Sequence, residues 1–174
     1  MASVTILMPV YNAEDYVEEA IKSILDQTFT DFKFLIINDG SIDGSENLIK
    51  QFIDERIIYV KHDTNLGLIS TLNEGLNLAT SKYIARMDAD DISFRDRIEK
   101  QVAFMEANPQ VDISGTWLSV LDTEKVVAHP ASSEQCRVNL LQNTVLGHPS
   151  VIMRKEAITA SILYFDDKAL YAED

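Results

Sequence analysis

The sequence predicts an α/β fold: a mainly parallel sheet with helices on both faces. Short apolar runs alternate with helical-period segments four times before Asn108-Pro109, the signature of strands joined through helices. The apolar runs have the length and β-branched content of buried strands. A chain of 174 residues, 46% apolar and 25% charged, is long enough to bury one such core and has an ordinary globular balance.

The elements follow in order. Val4-Thr5-Ile6-Leu7-Met8, stopped by Pro9, reads as a buried strand. Asn12 offers an N-cap to a helix from Ala13 to about Gln27, with Val17, Ala20, Ile21, Ile24 and Leu25 at helical spacing. Phe32 to Ile37 is a second strand, broken by Asp39-Gly40-Ser41, and Leu48, Ile49, Phe52 and Ile53 mark a second helix. Ile57 to Val60 is a third strand, followed by a helix from Leu68 to Ala79 that turns Ile69, Leu72 and Leu76 inward. Tyr83 to Met87 is a fourth strand ending in Asp88-Ala89-Asp90-Asp91, and Arg95 to Ala107 is a fourth helix. Beyond Ile113 the pattern loosens. Trp117 to Leu121 and Val151 to Arg154 read as strands, with a short helix near Cys136–Leu141 between them. Trp117 and the methionines read as core. With no internal repeat or linker, residues 1–174 read as one domain, and the stop at Glu173-Asp174 without a closing helix reads as truncation at the C-terminal end.

Composition narrows the function. The chain carries 28 acidic and 15 basic side chains, a net charge of −13. That field repels nucleic acid and anionic lipid. A phosphorylated ligand would need a divalent cation to bridge it to so acidic a protein. Cys136 is the single cysteine, which excludes an intrachain disulfide and a cysteine-rich zinc site and points to a reducing, cytoplasmic setting. No run is long enough to cross a bilayer, so no transmembrane segment is expected; attachment at the inner face of a membrane through another part of the chain stays open. Nothing in the sequence sets the oligomeric state.

In an open parallel sheet, ligands bind at the carboxyl ends of the strands. Pro9-Val10-Tyr11-Asn12, Asp39-Gly40-Ser41 and Asp88-Ala89-Asp90-Asp91 all fall at such ends. Asp88 and Asp90, two apart on an extended chain, point to one side and suit a hard cation, Mn²⁺ or Mg²⁺, completed by ligand phosphates and water. The bland alternative is helix capping, which fits Asp91 best. Tyr11 can stack on a base and Asp39 accept its N–H; equally, the Asp39 segment reads as a glycine turn and Tyr11 as a half-buried ring. Arg86 reaches a phosphate or pairs with a carboxylate. His148, before a proline, reads as a structural hydrogen-bonder, and His62 and His129 have no evident acid–base partner.

These motifs resemble glycosyltransferase family 2, the inverting nucleotide-sugar transferases of the GT-A (Rossmann-like) fold. The matching residues are Val4 to Asn12, Ile37-Asn38-Asp39-Gly40-Ser41-Ile42-Asp43-Gly44-Ser45, Asn65-Leu66-Gly67, Tyr83 to Asp91, Arg97, His148-Pro149-Ser150-Val151 and Glu173-Asp174. The resemblance implies a nucleoside pocket from Pro9, Tyr11, Asn12, Asp39 and Gly67, most often for uridine. It implies Asp88 at the ribose and diphosphate, and Asp90, with Asp88, on the metal. Asp174 would be the general base, with Glu173 beside it, and the acceptor a saccharide or lipid-linked hydroxyl. The family's later acceptor-side Gln/Arg/Trp-type motif is absent. Two rivals remain. An Asp-x-Asp phosphatase of the haloacid-dehalogenase type places its pair after the first strand, not the fourth. A non-catalytic nucleotide-sugar-binding module would bind donor without consuming it.

Overall fold

The computed structural model describes residues 2–139 and 145–161. The elements are β1 (Val4–Val10), α1 (Val17–Leu25), β2 (Phe32–Asn38), α2 (Ser45–Ile49), β3 (Ile57–Lys61), α3 (Leu68–Leu78), β4 (Tyr83–Arg86) and α4 (Arg97–Ala107). They continue with β5 (Ile113–Ser114), β6 (Leu118–Ser119), β7 (Val126–Val127), α5 (Ser133–Asn139), a 3₁₀ turn (His148–Ser150), β8 (Ile152–Arg154) and α6 (Lys155–Ser161). The main sheet runs β3-β2-β1-β4-β8-β5. The first four of these are parallel; β8 is antiparallel to both of its neighbours. This is the expected GT-A-type α/β arrangement.

Every residue of β1 is buried, because the strand is central and both faces are covered. On one face α1 lays Val17, Ala20, Ile21 and Ile24 against Ile6, Phe34 and Ala85, with Ile98 and Met105 of α4 beside them. On the other, Leu72 and Leu76 of α3 and Ile158 of α6 cover Leu7, Leu35, Ile37 and Ile84. The chain steps outward from β1 to β3, then returns to put β4 on the other side of β1. This reversal is where such folds open a crevice. The last β1–β4 pair is Leu7 with Arg86, and Pro9 lies just past it, where the two strands part.

Several boundaries differ from the sequence expectation. Helix α1 starts at Val17, not Ala13, and Asn12 is no N-cap: it has a left-handed φ of 50°. Helix α2 ends at Ile49, leaving Ile53 99% exposed. Trp117 is 58% exposed, its Nε1 donating to the His129 carbonyl at 3.0 Å, so it is not core. The expected strand around it shrinks to the two-residue pairing of β6 with β7. The short helix expected from Cys136 starts earlier, at Ser133, and positions 140 and 141 lie outside the described residues.

Candidate functional site

A cleft of roughly 260 Å³ opens at the diverging ends of β1 and β4. The β1 end contributes Pro9, Tyr11 and Asn12, the following turn Ala13 and Tyr16, the start of α3 Leu68, and the β4 end Arg86, Asp88, Ala89 and Asp90. Two of the three expected polar clusters therefore meet in one concavity. Tyr11 and Tyr16 are 48% and 57% exposed, two rings offering faces to a planar ligand. Tyr16 and Leu68 were missed by sequence reading, since no motif marks a residue that arrives at a site through a turn or a helix start; Arg86 pairs with a carboxylate, one of the two roles expected for it.

The third cluster serves first as a clamp. The Asn12 N–H donates to Ser41 Oγ at 3.0 Å, and the Ile42 N–H returns to Asn12 Oδ1 at 2.9 Å. The Ala13 N–H donates to Ser45 Oγ at 2.8 Å, the Glu14 N–H to Asp43 Oδ2 at 3.0 Å, and the Gly44 N–H to Glu14 Oε2 at 2.6 Å. These bonds join the loop carrying Tyr11 to the loop after β2, so the backbone that presents Tyr11 is fixed before any ligand arrives. Gly40, at φ 68°, passes so close to the next loop that a Cβ would stand 2.4 Å from the Thr64 carbonyl carbon. No side chain fits there.

Asp39 is buried at 3% exposure and is not among the cleft-lining side chains. Its Oδ1 accepts from the Leu66 N–H at 2.8 Å and faces His62 Nδ1 at 2.6 Å; its Oδ2 accepts from the Gly67 N–H at 2.9 Å. Burial pushes its carboxyl up, but bonds from His62, Leu66, Gly67 and Thr71 outweigh that and hold it below the usual range. Gly67, at φ 90° and ψ 154°, occupies a region open essentially to glycine alone and delivers Leu68 to the cleft wall. His62 thus has two acidic neighbours, Asp39 and Glu74, contrary to the sequence reading. They arrive from β2 and α3, which spacing along the chain does not reveal.

Residues 88–91 form a turn rather than an extended run, with the Asp91 N–H reaching the Asp88 carbonyl at 3.4 Å. Asp88 and Asp90 nevertheless both face the cleft. Asp88 pairs with Arg86 Nη2 at 3.1 Å. Burial, and then the Asp90 charge, still raise its carboxyl against the pull of Arg86 and His148. Asp91 is pushed up to about 6, by burial first and by Asp88 and Asp90 next. Arg86 Nε and Nη1 are buried without a hydrogen-bond partner among the described residues.

Three crowded carboxylates with incomplete compensation are a fitting seat for a hard cation. Among the described residues no group of three or more His, Cys, Asp or Glu side chains forms a self-contained metal site. The pair Asp88 and Asp90 therefore fits a cation whose remaining ligands come from a phosphate group and water. Beneath this turn, Arg97 donates to the Pro149 carbonyl at 2.8 Å and the Arg86 carbonyl at 3.1 Å, and burial lowers its pKa to about 10. It ties the acidic turn to the His148–Ser150 turn. Asp174 and Glu173, the expected base and its neighbour, lie outside the described residues.

An uncharacterized glycosyltransferase of Haemophilus influenzae is 33% identical over 186 residues, covering 98% of this chain and 57% of its own length. The chain thus spans little more than half of that relative. Among solved structures, S. aureus TarS 1-349 superposes with a TM-score of 0.83 at 19% identity, over 98% of this chain and 52% of that one. The mannosyltransferase PcManGT from Pyrobaculum calidifontis, in complex with GDP-Man and Mn²⁺, gives 0.76 at 19% identity, over 99% of this chain and 50% of that one. At such identities these likenesses establish a shared fold. The model of the family described as "Glycosyl transferase family 2" matches residues 5–158, nearly the whole of the described chain, and the protein belongs to that family.

Proposed function

We propose that the protein moves a sugar from a nucleotide-diphospho-sugar, UDP-linked, to an acceptor hydroxyl with inversion at the anomeric carbon. The observation that carries this reading is the meeting of Tyr11 and Pro9 from β1 with Arg86, Asp88 and Asp90 from β4 in one cleft at the strand-order reversal. An aromatic end and an acidic end match the two ends of a nucleoside diphosphate. The ligands of the structural neighbours support the class: TarS in complex with UDP and with UDP-GlcNAc, and PcManGT in complex with GDP-Man and Mn²⁺.

In this reading Tyr11 stacks on the base, Pro9, Asn12 and Gly67 shape its pocket, and the buried Asp39, which does not line the cleft, supports that pocket from behind through the Leu66 and Gly67 N–H groups. Asp88 meets the ribose and diphosphate. A divalent cation held by Asp90 with Asp88, Mn²⁺ or Mg²⁺, would compensate the charge of the departing diphosphate. Asp174 takes the proton of the acceptor hydroxyl while that oxygen bonds to the anomeric carbon and the bond to the diphosphate breaks on the opposite face. The acceptor is a saccharide or lipid-linked hydroxyl, and the setting is cytoplasmic, at or near the inner membrane face. Among the described residues no helix is long and apolar enough to cross a membrane.

Thermal melting with UDP, GDP and their sugars tests the reading. A ligand at a hundredfold excess over its Kd stabilises the native state by about 2.7 kcal/mol, so UDP with Mn²⁺ should raise the Tm clearly and UDP with a chelator much less. Equal shifts with and without metal, or a preference for GDP, would overturn the metal or base assignment respectively. Asp174→Asn is expected to slow transfer by about 10²- to 10⁴-fold while leaving UDP affinity intact. Full transfer by that variant would move the base to another residue, Glu173 first.

A further inference from the structure

The loop after β3 carries His62 into the space between the end of β2 and α3, where its side chain is 9% exposed. Its Nδ1 lies 2.6 Å from Asp39 Oδ1 and its Nε2 lies 2.5 Å from Glu74 Oε2. These two carboxylates, one just past β2 and one from α3, are the charged groups that face the ring among the described residues. Lys61, next in sequence, is turned away to Glu46 at 2.7 Å. Neutral imidazole has one N–H, and only the imidazolium has two. Both contacts therefore hold together only while His62 is protonated; once it is neutral, a nitrogen lone pair would face a carboxylate oxygen.

The connectivity gives this ion triad a consequence at the cleft. Asp39 carries the Leu66 and Gly67 N–H groups. Gly67 leads directly into Leu68, the first residue of α3 and part of the cleft wall. Glu74 lies two turns further along the same helix. The Asp39–His62–Glu74 chain thus ties α3 to the carboxyl end of β2 at the nucleoside end of the cleft.

We propose that His62 is a positioning residue for the nucleoside pocket, holding Asp39 and the start of α3 in register, and that Glu74 sets the pH range over which it does so. The proposal rests on the reading that a nucleotide occupies this cleft. Burial of His62 lowers its pKa, but the bonds to Asp39 and Glu74 outweigh burial and raise it above the ordinary histidine value. The sign follows. The tie is complete at pH values below the unfolded pKa of about 6.5 and is lost as pH rises through the higher folded pKa. On that loss the carboxylates compete for one N–H, the link between β2 and α3 breaks, and the Leu68 wall loosens.

The test is a pH series of UDP binding with Mn²⁺, by calorimetry, from about pH 5 to 9, for the natural protein, Glu74→Gln and His62→Gln. NMR of the His62 ring locates its titration. UDP affinity is expected to fall about tenfold, an ordinary coupling between sites, across the His62 titration. In Glu74→Gln the ring titration and the affinity loss should move together to lower pH, because one stabilising carboxylate is gone. In His62→Gln, whose amide still donates to Asp39, the drop should vanish. Because the ligand's own ionisation is common to all three proteins, only differences between profiles count. Superimposable profiles in proteins that all bind UDP overturn the role of His62 and leave the nucleotide reading standing. Absence of UDP binding at every pH overturns the nucleotide reading and the proposal with it.

Discussion

Asp90→Ala is expected to abolish the metal-dependent part of UDP binding and to slow sugar transfer by at least about 10²- to 10³-fold, the range seen when one preorganised electrostatic contact to a transition state is removed. Asp90 is exposed, in a turn at the cleft mouth. Its loss also relieves the repulsion that helps raise Asp88 and Asp91, so the ligand-free protein should melt no lower than the natural one. Uridine, which lacks phosphates, should bind Asp90→Ala normally. Tyr11→Ala is the complementary variant: its half-exposed ring can go without damage to the core, and uridine and UDP should weaken together by about 1–3 kcal/mol, the usual worth of a base–aromatic stack. Calorimetric titration of both ligands into both variants reads the result. If Asp90→Ala loses uridine as well, or keeps Mn²⁺-dependent UDP binding, the division into an aromatic base pocket and an acidic metal end is wrong.

Arg154→Met is expected to be among the most damaging substitutions for stability. Arg154 sits in β8 at 5% exposure. Its Nε donates to the Val111 carbonyl at 2.7 Å, its Nη1 to the Tyr83 hydroxyl at 3.1 Å, and its Nη2 to the Met105 and Asn108 carbonyls at 2.5 and 3.1 Å. The guanidinium thus caps the C-terminal end of α4, where carbonyls lack helical partners and the dipole favours a cation. Methionine keeps the volume and removes the charged donor from all four acceptors, leaving the Met105 and Asn108 carbonyls only the turn bonds from the Asn108 and Val111 N–H groups. Loss of a charged hydrogen-bond donor of this kind costs about 1.5–3 kcal/mol. In a chain of this size that lowers the Tm by roughly 3–12 °C. Urea titration and calorimetry measure it, and a loss below about 1 kcal/mol would mean that water replaces the guanidinium at the helix end.

Both residues show where the sequence speaks and where it does not. The alternation of strands and helices was legible because burial on two faces demands continuous apolar runs such as Ile6-Leu7-Met8 and Leu35-Ile36-Ile37, and amphipathic helices leave a 3.6-residue trace such as Leu72 with Leu76. The cleft was legible in outline, since Tyr11, Asp88 and Asp90 follow strand ends and parallel strands bring their ends together. Boundaries were not: Asn12 was expected to cap a helix, but its side chain bonds Ile42, thirty residues away. Trp117 read as core on its chemistry alone, yet it lies just before a small two-stranded hairpin with too little sheet around it to cover the ring.

The sequence by itself determined the fold class, the order of the strands' polar ends and the aromatic and acidic chemistry of the cleft, because these depend on periodicity and on residue type. Tertiary structure alone decided which side chains meet. It put His62 between Asp39 and Glu74, Arg154 under the end of α4, and Tyr16 and Leu68 into the cleft. Contacts across 12 to 49 residues of chain depend on how elements pack, and packing leaves no local mark at the positions it joins.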